Sequence, residues 1–222
     1  GVRMGSIVRP GPEPRRLAVP GFGTAPIERI DVFHGPRLVE THRSYGAADL
    51  GRRVRVLWSG AEYRGRGRET LWKGRLALTG ARFGSFRAVN FLNPERPCRE
   101  TAPGTAIMWE SVTTGNMAGI DLWLEGTPAG ILEIETNVVS GRIDLATLGE
   151  REAVLDGGGL GRQIRVWRLP ERMADRRIAF EQEARHAGAA DLPVYVRVTQ
   201  EDGHQAWTSP IYLIGASKAS GG

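Results

Sequence analysis

Apolar residues recur at every second position along much of the chain, the spacing that sets alternate side chains on one face of a β-strand. Val54, Val56 and Trp58 share one face, and Trp72, Leu76 and Leu78 share another within residues 71–79. Residues 120–124 (Ile-Asp-Leu-Trp-Leu) and 132–136 (Leu-Glu-Ile-Glu-Thr) alternate in the same way, as do 164–166 and 194–198. These runs are rich in Val, Ile, Trp and Tyr, which suit a pleated, half-buried surface.

Turn residues separate the runs. Gly35-Pro36, Thr79-Gly80, the segment 125–128 (Glu-Gly-Thr-Pro) and Asp156 with Gly157, Gly158 and Gly159 are examples. Asp202-Gly203 carries the dipeptide typical of a tight hairpin. With 30 glycines and 13 prolines in 222 residues, long helices have little room, and only 144–148 and 170–174 suggest short ones. Short strands with frequent turns predict an all-β chain built as a β-sandwich.

Two lobes are expected. An Ig-like lobe is assigned to residues 1–86 plus 190–215, built from the N- and C-terminal strands. A second β lobe, 87–189, is inserted into it, and 216–222 form a disordered tail. The division rests on a Pro- and Asn-rich, weakly periodic stretch from about 87 to 105. At the C-terminal end, Val194, Val196 and Val198 make an apolar face that Ile211 and Leu213 answer across the Asp202-Gly203 turn. Pro210 lacks a ladder donor, so its strand belongs at an edge or beside a bulge near Trp207.

Composition narrows the function classes. No stretch reaches the roughly 20 apolar residues of a membrane span, and no apolar core follows the first six residues as in a signal peptide. The expectation is a soluble chain without a membrane partner; its compartment is left open, with the cytoplasm favoured. The single cysteine, Cys98, excludes an internal disulfide and a cysteine zinc cluster. The net charge is +5, nearly all of its cations are arginines, and acidic residues are interspersed with them, as on a mixed-charge surface.

Candidate chemistry is sparse. His34, His42, His186 and His204 form no metal-ligand spacing, and Asp202, His204 and Ser209 crowd one hairpin without an oxyanion hole. Glu133 and Glu135 share a strand face, as acid–base partners or cation ligands would, or as a solvated face would. The glycine run 157–159 lacks the Gly-Lys-Ser/Thr ending of a phosphate loop and reads as a turn. The sharpest feature is residues 63–68, in which Arg64, Arg66 and Arg68 share one face if extended and Tyr63 adjoins them. Three guanidinium forks suit phosphate, sulfate or carboxylate groups. Trp123, opposite Leu122 and Leu124, either seals the second lobe or forms a sugar platform.

Three stretches add a resemblance: Arg3-Met4-Gly5-Ser6, the run 23–33 (GTAPIERIDVF), and the closing run 195–212 (YVRVTQEDGHQAWTSPIY). Together they resemble the C-terminal β region of a family of long, uncharacterised bacterial proteins that are themselves similar to PHP-type (polymerase and histidinol phosphatase) metallohydrolases. The closing run is the most specific, and the three cover 33 of the 222 residues, at the two ends of the chain. In such relatives the metal ligands are His and Asp residues of an upstream barrel. No such cluster occurs in this sequence, so the resemblance assigns no catalytic residue, metal ligand or cofactor to this chain. It implies an accessory region that serves an upstream hydrolase domain of the same protein by docking, substrate access or oligomer contacts. A stand-alone module binding an anionic polymer or carbohydrate through Tyr63, Arg64, Arg66, Arg68 or Trp123 is the alternative, and an enzyme using Glu133 and Glu135 is a third reading.

Overall fold

The computed structural model describes residues 1–9, 15–65, 68–91, 93–184 and 190–215. The predicted tail, 216–222, lies outside them. Eighteen strands occur among the described residues. In chain order the first are β1 (Ile7–Val8), β2 (Arg15–Phe22), β3 (Ile27–His34), β4 (Arg37–His42), β5 (Arg53–Ala61) and β6 (Thr70–Thr79). There follow β7 (Phe83–Val89), β8 (Cys98–Ala102), β9 (Ala106–Thr113), β10 (Met117–Leu124), β11 (Ile131–Thr136) and β12 (Gly141–Asp144). The last are β13 (Ala153–Asp156), β14 (Leu160–Leu169), β15 (Arg177–Ala184), β16 (Leu192–Gln200), β17 (Gln205–Trp207) and β18 (Ile211–Leu213). The only helical turns described are 3-10 turns at Ala47–Asp49 and Leu145–Thr147. No helix of the described residues is long and apolar enough to cross a membrane. The fold is all-β and sandwich-like.

The chain divides into two compact units, one made of Gly1–Ser44 and Met173–Gly222, the other of Tyr45–Arg172. This corrects the boundaries expected at 86/87 and 189/190. Strands β5, β6 and β7 pair with β10, β14, β9 and β11, so the register of the middle strands claims them. The weakly periodic stretch that suggested a divide holds the end of β7 and all of β8, both inside the central unit. The helix expected at 170–174 does not form, and that at 144–148 shrinks to one 3-10 turn, capped by Asp144, whose carboxylate accepts the Ala146 N–H at 2.9 Å.

The central unit stacks two five-stranded sheets, in the orders β13-β14-β5-β10-β7 and β12-β11-β6-β9-β8. The predicted alternation sets their facing surfaces. Val54, Val56, Trp58, Ile120, Leu122, Ile164 and Val166 of the first meet Trp72, Leu76, Leu78, Ile107, Trp109, Leu132 and Ile134 of the second in one buried cluster. At about 1.5–3 kcal/mol per large side chain, this burial is the main favourable contribution to the unit's stability. Trp58 and Trp109 stack with ring centroids 4.6 Å apart. Gly74, opposite Trp109 in the β6–β9 register, leaves room for the indole. Two of the core indoles are partnered: Trp58 Nε1 donates to Ser111 Oγ at 2.7 Å, and Trp72 Nε1 to Thr113 Oγ1 at 2.9 Å.

The terminal unit holds a sheet ordered β1-β18-β16-β3-β4, with β17 also paired to β16, and a separate ribbon of β2 with β15. Val19, Leu17, Ile178 and Phe180 of the ribbon pack with Ile30, Val32, Val194 and Val196 of the sheet. Strand β15 was not expected, because its charged alternate residues (Arg177, Glu181, Glu183) mask the two apolar anchors, Ile178 and Phe180. The hairpin at Asp202-Gly203 forms, with the Gly203 N–H donating to Gln200 O at 2.9 Å. The strand after it breaks at residues 208–210 into β17 and β18, where Pro210 lacks a donor, and Trp207 is exposed at the break.

Candidate functional site

The densest charged constellation lies on the face of the first central sheet turned away from the core. Three adjacent strands build it by register alone. On β10, Asp121 stands between Arg55 of β5 and Arg87 of β7, while Trp123 stands between Arg53 and Ser85. On β14, Trp167 pairs across from Arg55. Arg53 Nη2 donates to Asp121 Oδ2 at 2.5 Å. Arg55 grips the same carboxylate with both prongs, Nε to Oδ1 at 2.7 Å and Nη2 to Oδ2 at 2.9 Å. Arg87 Nη2 reaches Oδ2 at 3.0 Å. The Asp121, Arg53 and Arg55 side chains are fully buried, and the Arg87 side chain is half-exposed.

Burial by itself would raise the pKa of Asp121, but the charge and hydrogen bonds of Arg55, then of Arg53, outweigh it and hold the carboxyl far below the usual range. Guanidinium groups also stack over indoles here. Arg53 and Arg87 lie 5.0 and 5.7 Å from the Trp123 ring, and Arg55 and Arg165 lie 6.0 and 5.9 Å from that of Trp167. Glu152 accepts from Arg165 at 3.2 Å. A carboxylate so fully engaged, ionised at neutral pH and closed to solvent holds strands in register and is no proton carrier at neutral pH.

Beside this ladder is an open pocket of about 380 Å³ lined by Ser85, Trp123, Glu171 and Arg172. Its walls are fixed by hydrogen bonds. Trp123 Nε1 donates to the Glu171 carbonyl at 3.1 Å. Glu171 Oε1 accepts from the Arg52 backbone N–H at 2.9 Å and from Arg52 Nε at 3.0 Å. The backbone bond, ahead of the side-chain contacts of Arg52, lowers the Glu171 pKa.

A second buried carboxylate occurs in the terminal unit. Asp31 accepts from Arg197 Nη2 at 2.7 Å and from Thr41 Oγ1 at 2.8 Å, with Arg29 Nε 3.4 Å away. Burial opposes its ionisation, yet Arg29, Arg197 and Thr41 together lower its pKa. On the same outer sheet face, Phe33 and Tyr195 stack at 5.0 Å, and Arg197 lies 5.1 Å from the Phe33 ring. Leu38 pairs across from Phe33, and Tyr212 pairs across from Ile7 and Pro193. Ile7, Leu38, Trp207 and Tyr212 are exposed.

The residues singled out from sequence fall in two places. Tyr63 and Arg64 are exposed in the connection between β5 and β6, where Arg68 is held by a bond from its Nε to Thr114 O at 3.2 Å. Arg66 lies outside the described residues. Trp123 pairs with Arg53 at the opposite end of β5 from this connection, about 25 Å away at strand rise. Trp123 and the arginine loop are therefore not brought together.

The remaining candidates are dispersed. Glu133 pairs with Arg142 at 3.0 Å, and Glu135 sits across from Arg75. His42 stacks on Phe180 at 3.7 Å and lies 3.4 Å from Glu40. His204 Nδ1 lies 3.2 Å from Asp202 in the exposed hairpin turn, and His186 is outside the described residues. Among the described residues no group of three or more His, Cys, Asp or Glu side chains is placed to hold a metal ion. Asp121 escaped the sequence reading because it holds a polar position in an alternating strand, which periodicity assigns to solvent. The Arg53–Arg55 alternation was the one visible sign of the ladder. Comparison with known protein families, curated proteins and solved structures finds no match to this chain.

Proposed function

We propose that this chain is a non-catalytic accessory β-sandwich region of a larger, metal-dependent hydrolase-like protein, acting through docking, substrate-access or oligomer contacts, with an Ig-like terminal unit. The observation that carries the reading is the state of its buried carboxylates. Asp121 and Asp31 each sit among guanidinium groups that hold them ionised, which suits a rigid scaffold. The solvent-facing apolar side chains Ile7, Leu38, Trp207 and Tyr212 suit a contact surface. The resemblance of the two chain ends to the β region that follows a hydrolase barrel adds the partner's class. The test is an assay of the purified chain with bis-p-nitrophenyl phosphate and p-nitrophenyl acetate, with and without added Mn²⁺ or Zn²⁺. The expected result is no turnover above buffer. Saturable, metal-dependent hydrolysis abolished by Glu133→Gln would overturn it.

A second reading, a stand-alone binding module for an anionic polymer or carbohydrate, draws support from the exposed Tyr63 and Arg64 beside the anchored Arg68. On this reading the chain is retained on heparin in a salt-dependent way, and the Arg64/Arg66/Arg68→Ala variant elutes earlier. Equal retention of that variant would remove the loop from consideration.

A further inference from the structure

We propose that the pocket lined by Ser85, Trp123, Glu171 and Arg172 is a subsite for one acidic sugar residue, a pyranose bearing a carboxylate. The inference rests on the second reading above and names the ligand class and the place. Its volume, about 380 Å³, lies in the range of small-molecule sites and admits a single sugar ring. The pocket's chemistry is mixed in the way a polyhydroxylated ring requires. Trp123 offers an aromatic surface, and its indole is held by the Nε1 bond to Glu171 O at 3.1 Å, so little side-chain freedom is lost on binding. Ser85 brings a hydroxyl that both donates and accepts. Glu171 spends Oε1 on Arg52, which leaves Oε2 as an acceptor for a sugar hydroxyl. Arg172 is exposed at the rim, and its planar fork matches a carboxylate. Arg53 and Arg87, 5.0 and 5.7 Å from the Trp123 ring, add further positive charge beside it. Aromatic platform, hydroxyl, acceptor and guanidinium thus converge from β7, β10 and the segment after β14. The cation at the rim is what selects an acidic sugar over a neutral one.

The test is an NMR titration of the whole chain, following the indole N–H resonances of its six tryptophans. The Trp123 resonance is the one missing in Trp123→Phe. Methyl β-D-glucuronide is expected to move that resonance saturably. Methyl β-D-glucoside should bind about fivefold more weakly, the difference one exposed ion pair makes, and sodium acetate should leave it in place. Arg172→Gln, a surface change that keeps the other indole resonances unmoved, should remove the preference for the glucuronide. No response to the glucuronide at tens of millimolar, equal binding of the glucoside, or an unchanged preference in Arg172→Gln would overturn the proposal. These outcomes leave heparin retention through Arg64, Arg66 and Arg68 untouched, so loss of the subsite and loss of the binding-module reading are separately visible.

Discussion

Replacing Asp121 with asparagine keeps the shape of the side chain and removes the charge that three guanidinium groups share. In the native protein the Asp121 carboxylate receives two bonds from Arg55 and one each from Arg53 and Arg87. The amide of the variant retains one acceptor oxygen and turns two N–H donors toward cations that can only donate. Breaking a buried pair by neutralising one partner costs about 3–5 kcal/mol, because the remaining charges stay desolvated. Arg53 and Arg55 are fully buried and Arg87 is partly solvated, so a loss near the middle of that range, about 4 kcal/mol, is expected. Tryptophan fluorescence in a urea titration reads this locally, since Trp58, Trp72, Trp109, Trp123 and Trp167 belong to the central unit and only Trp207 to the terminal one.

The pH dependence gives an independent check. The folded pKa of Asp121 is depressed, so its stabilisation is fully present above the unfolded value of about 3.9 and declines as pH falls below it toward the folded value. The difference in stability between the native chain and Asp121→Asn should therefore be constant from pH 8 to about pH 5 and shrink below about pH 4. A loss under about 1 kcal/mol at pH 7, the level of an exposed ion pair, or a difference that grows on acidification, would refute the argument that this carboxylate holds the sheet together.

Two further outcomes are expected. In Gly74→Ala the new Cβ would collide with Cζ2 of Trp109, so the indole must leave its stack on Trp58 and stability should fall by about 1–3 kcal/mol; an unchanged urea midpoint would show that the indole has space to move. Burial pushes the Cys98 thiol up to about 11, so labelling by a disulfide reagent at pH 8 should be far slower in the folded chain than in urea and should accelerate as the pH approaches 11; equal rates at pH 8 in the two states would count against that placement.

Period-two alternation made the fold class and the core legible before any coordinates. Val54, Val56, Trp58, Leu132 and Ile134 had to be buried together on strand faces, since no other periodic structure puts them on one side. The turn residues likewise placed the hairpin at Asp202-Gly203, because that backbone restricts itself locally, whereas Pro210, expected to mark an edge or a bulge, sits at an interruption between β17 and β18. Local pattern could not say which strands would be neighbours. Pairing of β5 with β14 and β10, or of β2 with β15, joins segments far apart in sequence, and that choice depends on the packing of whole sheets. It set the unit boundaries at Tyr45 and Arg172, and it gave the charged strand β15 a partner that its own residues do not announce. The same choice brought Arg53 and Arg55 of β5 and Arg87 of β7 onto the Asp121 carboxylate of β10. An aspartate between Ile120 and Leu122 reads as solvent-facing until the register of its neighbours surrounds it with guanidinium groups, and only the tertiary structure supplies that register.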